Sequence, residues 1–325
     1  MSLPLSPPTE LIHLSYDGNF LLECDATILS CRVITTSECD SNKNNSNGKN
    51  NENNKNKNNE QPLLYNQVEL QLDRTVMHPQ GGGQPTDTGV IEVMMDNGTT
   101  MAVVGITKVT IDRASGIVTH VGNDANSSSS GSGLNNGGAD LSLQQQQHLQ
   151  VGQSIRVRVD PVQRRILSEC HTAGHVVDSA MAQCDRILPP VKGYHFLDGP
   201  YVEYKGVIPP EERDELLANL QRAFADLVEQ DIATRIETMT KTDAMELCRR
   251  VQHQQQDTIN MDDFGDEVRM VTVAGWSCPC GGTHVRSTLD LQERKWGIVG
   301  IKSKKGVVRI RYDQNAPVVG PRQQT

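Results

Sequence analysis

The sequence predicts an α+β fold in which a β-rich domain precedes a mixed α/β domain. Two observations carry that expectation. Short apolar runs with period-two alternation fill the first part of the chain, and apolar residues take up helical spacing from about residue 161. At 325 residues the chain is long enough for two domains, each able to bury its own core. The apolar share of 36% and the mean hydropathy of −0.48 are low for such a chain, and two polar tracts account for much of the deficit.

In chain order, the apolar runs at Leu11 to Leu14 and Phe20 to Ile34 are separated by Asp17-Gly18 and read as strands joined by a turn. From Ser41 to Glu60 asparagine dominates, so a polar insert over about residues 40–62 has nothing to offset the entropy of ordering. Val68, Leu70 and Leu72 then alternate with Glu69, Gln71 and Asp73, as in a half-buried strand. Ile117 to Val121 and Ser154 to Val159 are further strands, and the Ser, Gly, Asn and Gln tract of about residues 123–147 is a swollen loop between them. Both inserts are expected to be disordered and dispensable.

Asp160-Pro161 supplies an N-cap and a first-turn proline, and Ile166, Cys170, Ala173, Val177 and Met181 follow at helical spacing. The expected domains are therefore residues 1–160 and 161–315, with a flexible tail over 316–325. A second helix opens at Pro209-Pro210 and puts Leu216, Leu220, Phe224 and Leu227 on one face. Ile232 to Met239, Val268 to Val273, Gly297 to Ile301 and Val307 to Tyr312 are strand-like.

No run reaches the roughly 18 apolar residues of a membrane span, and Met1 to Glu10 lacks the basic end and apolar stretch of a signal peptide, so a cytoplasmic protein with no membrane partner is expected. The eight cysteines lack the density of a secreted disulfide scaffold, and in a reducing compartment those that cluster with histidines suggest a metal. A net charge of −9 weighs against a nucleic-acid partner unless positive charge is gathered locally.

His171 and His175 fall on one side of the first helix of the second domain, and Cys280 and His284 repeat the spacing of four on a glycine-containing loop. Chance supplies about 0.25 His pairs at that spacing, so either pair alone is weak evidence, and the two together with a glycine-rich loop elsewhere are much less expected. One thiolate and three imidazoles suit Zn²⁺. A third feature is His78-Pro79-Gln80-Gly81-Gly82-Gly83-Gln84-Pro85-Thr86-Asp87-Thr88-Gly89, where three consecutive glycines leave the main chain open to close approach. Taken alone, this segment also fits an ordinary surface turn.

Thr75 to Gly89 resembles the glycine-rich motif of alanyl-tRNA synthetase editing domains and of their free-standing AlaX relatives. His171-Thr172-Ala173-Gly174-His175 resembles that family's first zinc motif, and Cys280-Gly281-Gly282-Thr283-His284 its second. Threonyl-tRNA synthetase editing domains share the zinc motifs but not the glycine-rich one, so its presence favours the alanine branch. The resemblance spans about residues 10–312 and implies an N-terminal β-barrel-like domain followed by an α/β two-layer editing domain with a zinc site. It implies one Zn²⁺ per chain on His171, His175, Cys280 and His284, with Cys278 a second thiol nearby. It also implies a trans-editing hydrolase that deacylates mischarged tRNA(Ala), carrying serine foremost and glycine next. No aminoacylation core fits before residue 60 or after residue 312, and ATP is not expected. The alternatives are a zinc-containing tRNA-binding or regulatory protein without hydrolysis, and a hydrolase of another ester such as Ser-tRNA(Thr).

On the same resemblance Thr75, Gln84 and Asp87 are the candidate catalytic residues and Gly81, Gly82 and Gly83 line the substrate. From Leu291 to Arg311 seven Lys or Arg face one Glu, and Lys302, Lys304 and Lys305 form the densest group. Arg156, Arg158, Arg164 and Arg165 make a second basic set beside the zinc helix. Lys302, Lys304, Lys305 and Arg164 are the expected contacts to acceptor-stem phosphates.

Overall fold

The computed structural model describes residues 7–35, 66–94, 100–124, 149–251 and 264–317. The insert at 41–60, all but the first two residues of the 123–147 tract and most of the 316–325 tail lie outside them. The chain divides into two compact units: Met1–Glu10, Glu23–Thr75 and Thr88–Arg158 form the first, and Leu11–Leu22, Val76–Asp87 and Val159–Thr325 the second. Two segments from before residue 160 thus belong with the second unit, and one of them carries most of the glycine-rich motif.

The first unit is a barrel of six strands: β1 (Glu23–Thr35), β2 (Asn66–Leu72), β3 (Gly89–Met94), β4 (Thr100–Asp112), β5 (Ile117–Asp124) and β6 (Ser154–Val159). It closes in the order β1-β2-β5-β4-β3-β6. Alternation explains the closure: Val68, Leu70 and Leu72 of β2, Val104 and Ile106 of β4 and Ile155 and Val157 of β6 are all buried, while their neighbours in sequence are more exposed. His120 of β5 is buried among them and meets the Thr75 hydroxyl at 2.9 Å.

The second unit opens on α1 (Pro161–Gln183). Asp160 caps it by accepting from the backbone N–H groups of Val162 and Gln163, as the Asp-Pro signal predicts. Strands β7 (Pro190–Tyr194) and β8 (Tyr201–Lys205) follow, then α2 (Arg213–Glu229), β9 (Arg235–Thr240), α3 (Lys241–Val251), β10 (Glu267–Val273), β11 (Trp276–Pro279), β12 (Gly297–Lys304) and β13 (Val307–Asp313). One sheet runs β12-β13-β8-β7 and a second β9-β10-β11. The core joins Val177, Ala180 and Met181 of α1 to Leu220, Phe224 and Leu227 of α2 and to Val308, Ile310 and Tyr312 of β13. Full burial of a side chain such as Phe224 contributes about 1.5–3 kcal/mol.

Of the expected strand at Leu11 to Leu14 only Leu11 is extended, in the two-residue strand Glu10–Leu11. Ile12–Leu14 and Gly18–Phe20 are single 3₁₀ turns. Ser15 closes them by donating from its backbone to the Ile12 carbonyl and accepting from the Gly18 N–H through its hydroxyl, the local bonding by which serine competes with a ladder.

One buried group of α1 lies outside any motif. Asp178 accepts from the Tyr204 hydroxyl at 2.6 Å, and burial pushes its carboxyl up to about 7. An unfolded aspartate ionises near 3.9, so the unfolded state releases its proton first and stability falls as pH rises from about 4 to 7. Asp178→Asn, which keeps a neutral acceptor, should flatten that fall. Between pH 5 and 8 the wild type should lose about 2–3 kcal/mol more than the variant in urea unfolding, and parallel pH profiles would refute the assignment.

Candidate metal centre

His171 and His175 lie one turn apart on the buried length of α1, and their rings stack at 5.2 Å between centroids. The loop after β11 brings Cys280 and His284 to the same place, so that one ligand atom from each of the four side chains lies within 4.8 Å of the others. Cys280 Sγ is 3.4 Å from His171 Nε2 and 3.4 Å from His284 Nε2. Bond lengths of about 2.0–2.1 Å to nitrogen and 2.3 Å to sulfur put the edges of a tetrahedral site at roughly 3.3–3.6 Å, so these separations fit one ion.

The second ring nitrogens explain why Nε2 converges. His171 Nδ1 lies 2.7 Å from Gln84 Oε1, His284 Nδ1 lies 3.2 Å from Thr172 Oγ1, and His175 Nδ1 lies 3.5 Å from Cys278 Sγ. With Nδ1–H donated outward, each imidazole keeps its Nε2 lone pair for the centre. His175 Nε2 is buried and has no hydrogen-bond partner, which marks it as an acceptor awaiting a ligand. Burial holds all three rings below the usual histidine range, His175 at about 4, so they are neutral at pH 7 as metal ligands must be. Burial raises the Cys280 thiol, while Arg269, bonded to the Cys280 carbonyl, pulls it back. The four residues that could hold a metal are thus the four expected, and Cys278 stands behind His175 rather than among them.

Two glycines are required by space. A Cβ on Gly282 would fall 2.0 Å from His171 Cε1, so only glycine lets the loop close on that ring. Gly82 and Gly83, at φ of 57° and 81°, form the two-residue turn between the paired Gly81 and Gln84, and a Cβ on Gly83 would meet the Gly193 carbonyl at 2.4 Å.

That turn delivers Gln84. Its Oε1 accepts from His171 Nδ1 and from the Thr283 N–H at 2.9 Å, and its Nε2 donates to Thr283 Oγ1 at 2.8 Å. One buried amide therefore ties the glycine-rich turn to both segments of the candidate metal centre. Asp87, buried, accepts from the His78 N–H at 2.6 Å and forms a bidentate ion pair with Arg164. Thr75 belongs to the first unit, where its hydroxyl meets His120.

The expectation that Arg164 meets substrate phosphates is corrected by its burial: the guanidinium is committed to Asp87 and to the Val76 carbonyl at 2.7 Å. The rest of that basic set is also paired, Arg156 with Asp25, Arg158 with Glu23 and Glu92, and Arg165 with Glu169 and Asp290. Lys302 and Lys304 of β12 and Lys305 in the following turn are exposed and form no ion pair among the described residues.

Sequence reasoning missed His195, whose ring stacks on His171 at 4.3 Å and whose Nδ1 is 2.5 Å from the Tyr312 hydroxyl. It has no partner at ligand spacing in the chain, so no local signal reveals it. Asn19 was missed for the same reason: its amide bonds both the carbonyl and the N–H of His284, 265 residues away.

Residues 268–311 match the family described as the threonyl and alanyl tRNA synthetase second additional domain. The chain is 26% identical over 246 residues to the alanyl-tRNA editing protein AlaX-M of Methanosarcina barkeri, covering 74% of this chain and 86% of that protein. It is 24% identical over 260 residues to AlaX-L of Pyrococcus horikoshii, covering 76% and 51%. An alanine–tRNA ligase of a Nocardioides species is 26% identical over 227 residues, covering 69% of this chain but 21% of the ligase, so the chain spans about a fifth of that relative's length. Matched domain, relatives and the order of the three motifs agree: the chain is similar to AlaX-type alanyl-tRNA editing proteins and to the corresponding part of alanine–tRNA ligases.

Proposed function

We propose that this protein hydrolyses the ester joining a wrongly attached amino acid to tRNA(Ala), with serine the principal substrate and glycine the second. The observation that carries the reading is the junction at Gln84, which links a turn open to close approach with the ligand His171 and the ligand loop at Thr283. The donor set of one thiolate and three imidazoles suits Zn²⁺. Such an ion, when bound, supplies a water acidified to a pKa of about 7 or a Lewis acid for the ester carbonyl.

The protein's own groups have separable tasks in this reading. Gly81, Gly82 and Gly83 admit the ester to the main chain. Gln84 orients the His171 ring, and its carbonyl is fully used in doing so. Asp87 acts by fixing the same segment against Arg164 rather than by moving a proton. Thr75 is proposed, on the family resemblance, to recognise the serine hydroxyl. A synthetase pocket rejects an added hydroxyl by only about 10²-fold, whereas a site built to bond that hydroxyl discriminates by 10⁴ or more.

The deciding assay is deacylation of serine-, glycine- and alanine-charged tRNA(Ala), with serine-charged tRNA(Thr) as the competing substrate. Binding without turnover of any of them would refute hydrolysis. Thr75→Val should lower kcat/KM about three- to tenfold more on the serine ester than on the alanine ester, since the substrate hydrogen bond is lost for serine alone whereas the lost His120 contact affects both esters alike. Gln84→Ala should lower both alike because it loosens His171. Equal losses for Thr75→Val on the two esters would remove Thr75 from serine recognition.

Positive charge for the acceptor stem is proposed at Lys302, Lys304 and Lys305. Changing all three to alanine should weaken tRNA binding and reduce the slope of log K against log salt by roughly 2 to 3. An unchanged slope would make them a solvated turn.

A further inference from the structure

We propose that the outer face of the β12-β13-β8-β7 sheet is a track for a single-stranded nucleic-acid end, running across the strands to β7 and so to the glycine-rich turn. The inference rests on the tRNA reading and names the surface that would guide the tRNA 3′ end.

Register sorts this sheet into two faces. Tyr201 pairs with Arg311 and with Tyr194, Glu203 with Arg309 and with Lys192, and Lys302 with Arg309. Val202 and Tyr204 of β8 and Val308, Ile310 and Tyr312 of β13 alternate with these residues and are buried in the core. The outer side therefore collects Lys192, Lys205, Lys302, Lys304 and Arg311, all exposed and without a carboxylate partner among the described residues. In a chain of net charge −9 this local excess is a bias toward phosphate.

The same face carries a row of π systems. The Phe196 and Tyr194 rings stack at 4.7 Å, Tyr194 and Tyr201 at 5.1 Å, each pair 17° from parallel, and the Arg309 guanidinium lies 4.0 Å from the Tyr201 centroid. Lys192 Nζ is 5.9 Å from the Tyr194 ring. The inner rings are stacked on one another, so the row offers a base its end at Phe196 and the edges of Tyr194 and Tyr201; such a row beside unpaired cations suits unpaired bases joined by phosphates, because a duplex hides its base faces. Three inter-strand spacings give a width of about 14 Å, enough for about four stacked nucleotides.

Direction comes from the residue between two of the rings. His195 lies between Tyr194 and Phe196 and is turned the other way: its ring stacks on His171 and its N–H donates to the Gly83 carbonyl at 2.8 Å. Tyr194, the last residue of β7, and Phe196 thus flank the residue that bonds the glycine-rich turn and stacks on the candidate metal cluster.

The test is fluorescence anisotropy with an uncharged, labelled single-stranded RNA carrying the tRNA 3′-terminal sequence, against a blunt duplex of the same length. The single strand should bind in preference. Lys192→Ala/Arg311→Ala should reduce the salt slope by about 1.4, the sum of two single-strand phosphate contacts. Tyr194→Ala should weaken binding at least about fivefold and Tyr194→Phe should restore it, which separates the ring from the hydroxyl held by Asp198. Lys108→Ala, which removes one positive charge on the barrel, should leave affinity and salt slope unchanged. Equal binding of duplex and single strand, or an unchanged salt slope in the double variant, would overturn the track. Because the RNA is uncharged, loss of deacylation cannot imitate that result: intact deacylation with an unchanged slope refutes the track alone, and RNA binding without deacylation refutes hydrolysis alone.

Discussion

Cys280→Ala should abolish metal retention, and His171→Ala should do the same, with a large loss of stability in the second unit. Both remove a donor from a set whose atoms lie within 4.8 Å of one another. Metal bound only to the folded state stabilises it by about 4 kcal/mol at a thousandfold excess over Kd, and that contribution vanishes with the site. What remains is costly in its own right, since His175 Nε2 is buried without a partner. Elemental analysis after dialysis should give about one zinc per wild-type chain and none for either variant. Cys278→Ala should behave differently. Its sulfur meets the far nitrogen of His175, and loss of such an outer partner lowers metal affinity about 10–100-fold without emptying the site at saturating zinc. Full zinc in Cys280→Ala with loss in Cys278→Ala would reverse the assignment of the two thiols.

Local physics made part of this fold legible. The alternation of Val68, Leu70 and Leu72 is a barrel strand, and Asp160-Pro161 starts the helix that carries His171 and His175 with the cap its side chain predicts. His171 and His175 were legible as a pair because a helix repeats its face every four residues. α3 was not read, although Thr240 and Asp243 hold its first turn by mutual hydrogen bonds and offered a capping signal. β7 and β8 were not read either: Pro190 to Tyr194 lacks an apolar alternation, and in Tyr201 to Lys205 it is confined to Val202 and Tyr204, too short a run to stand out. Arg164 shows the limit more sharply. Its charge suggests a phosphate contact until Asp87, 77 residues earlier, is brought against it. No sequence period records such a partner, and the same is true of His195 and Asn19.

Asp87→Ala should therefore unfold the second unit more easily while leaving the metal ligands chemically intact. The Asp87 side chain is 0% exposed and that of Arg164 4%, so the variant strands a guanidinium away from water. Breaking a buried pair from one side costs about 3–5 kcal/mol, because the remaining charge is uncompensated. At about 2–4 °C per kcal/mol for a unit of this size, the melting temperature should fall by roughly 10 °C. Arg164→Met has the complementary defect, an unpaired buried carboxylate, and should be similarly destabilised. The double variant Asp87→Ala/Arg164→Met removes both charges, so it should recover much of the loss rather than add the two. Catalysis should not recover with it. Asp87 anchors the segment three residues after Gln84, and the His78 N–H loses its acceptor in either background. Additive destabilisation in the double variant would mean that the two side chains act independently, and recovery of both stability and deacylation would make the pair replaceable packing.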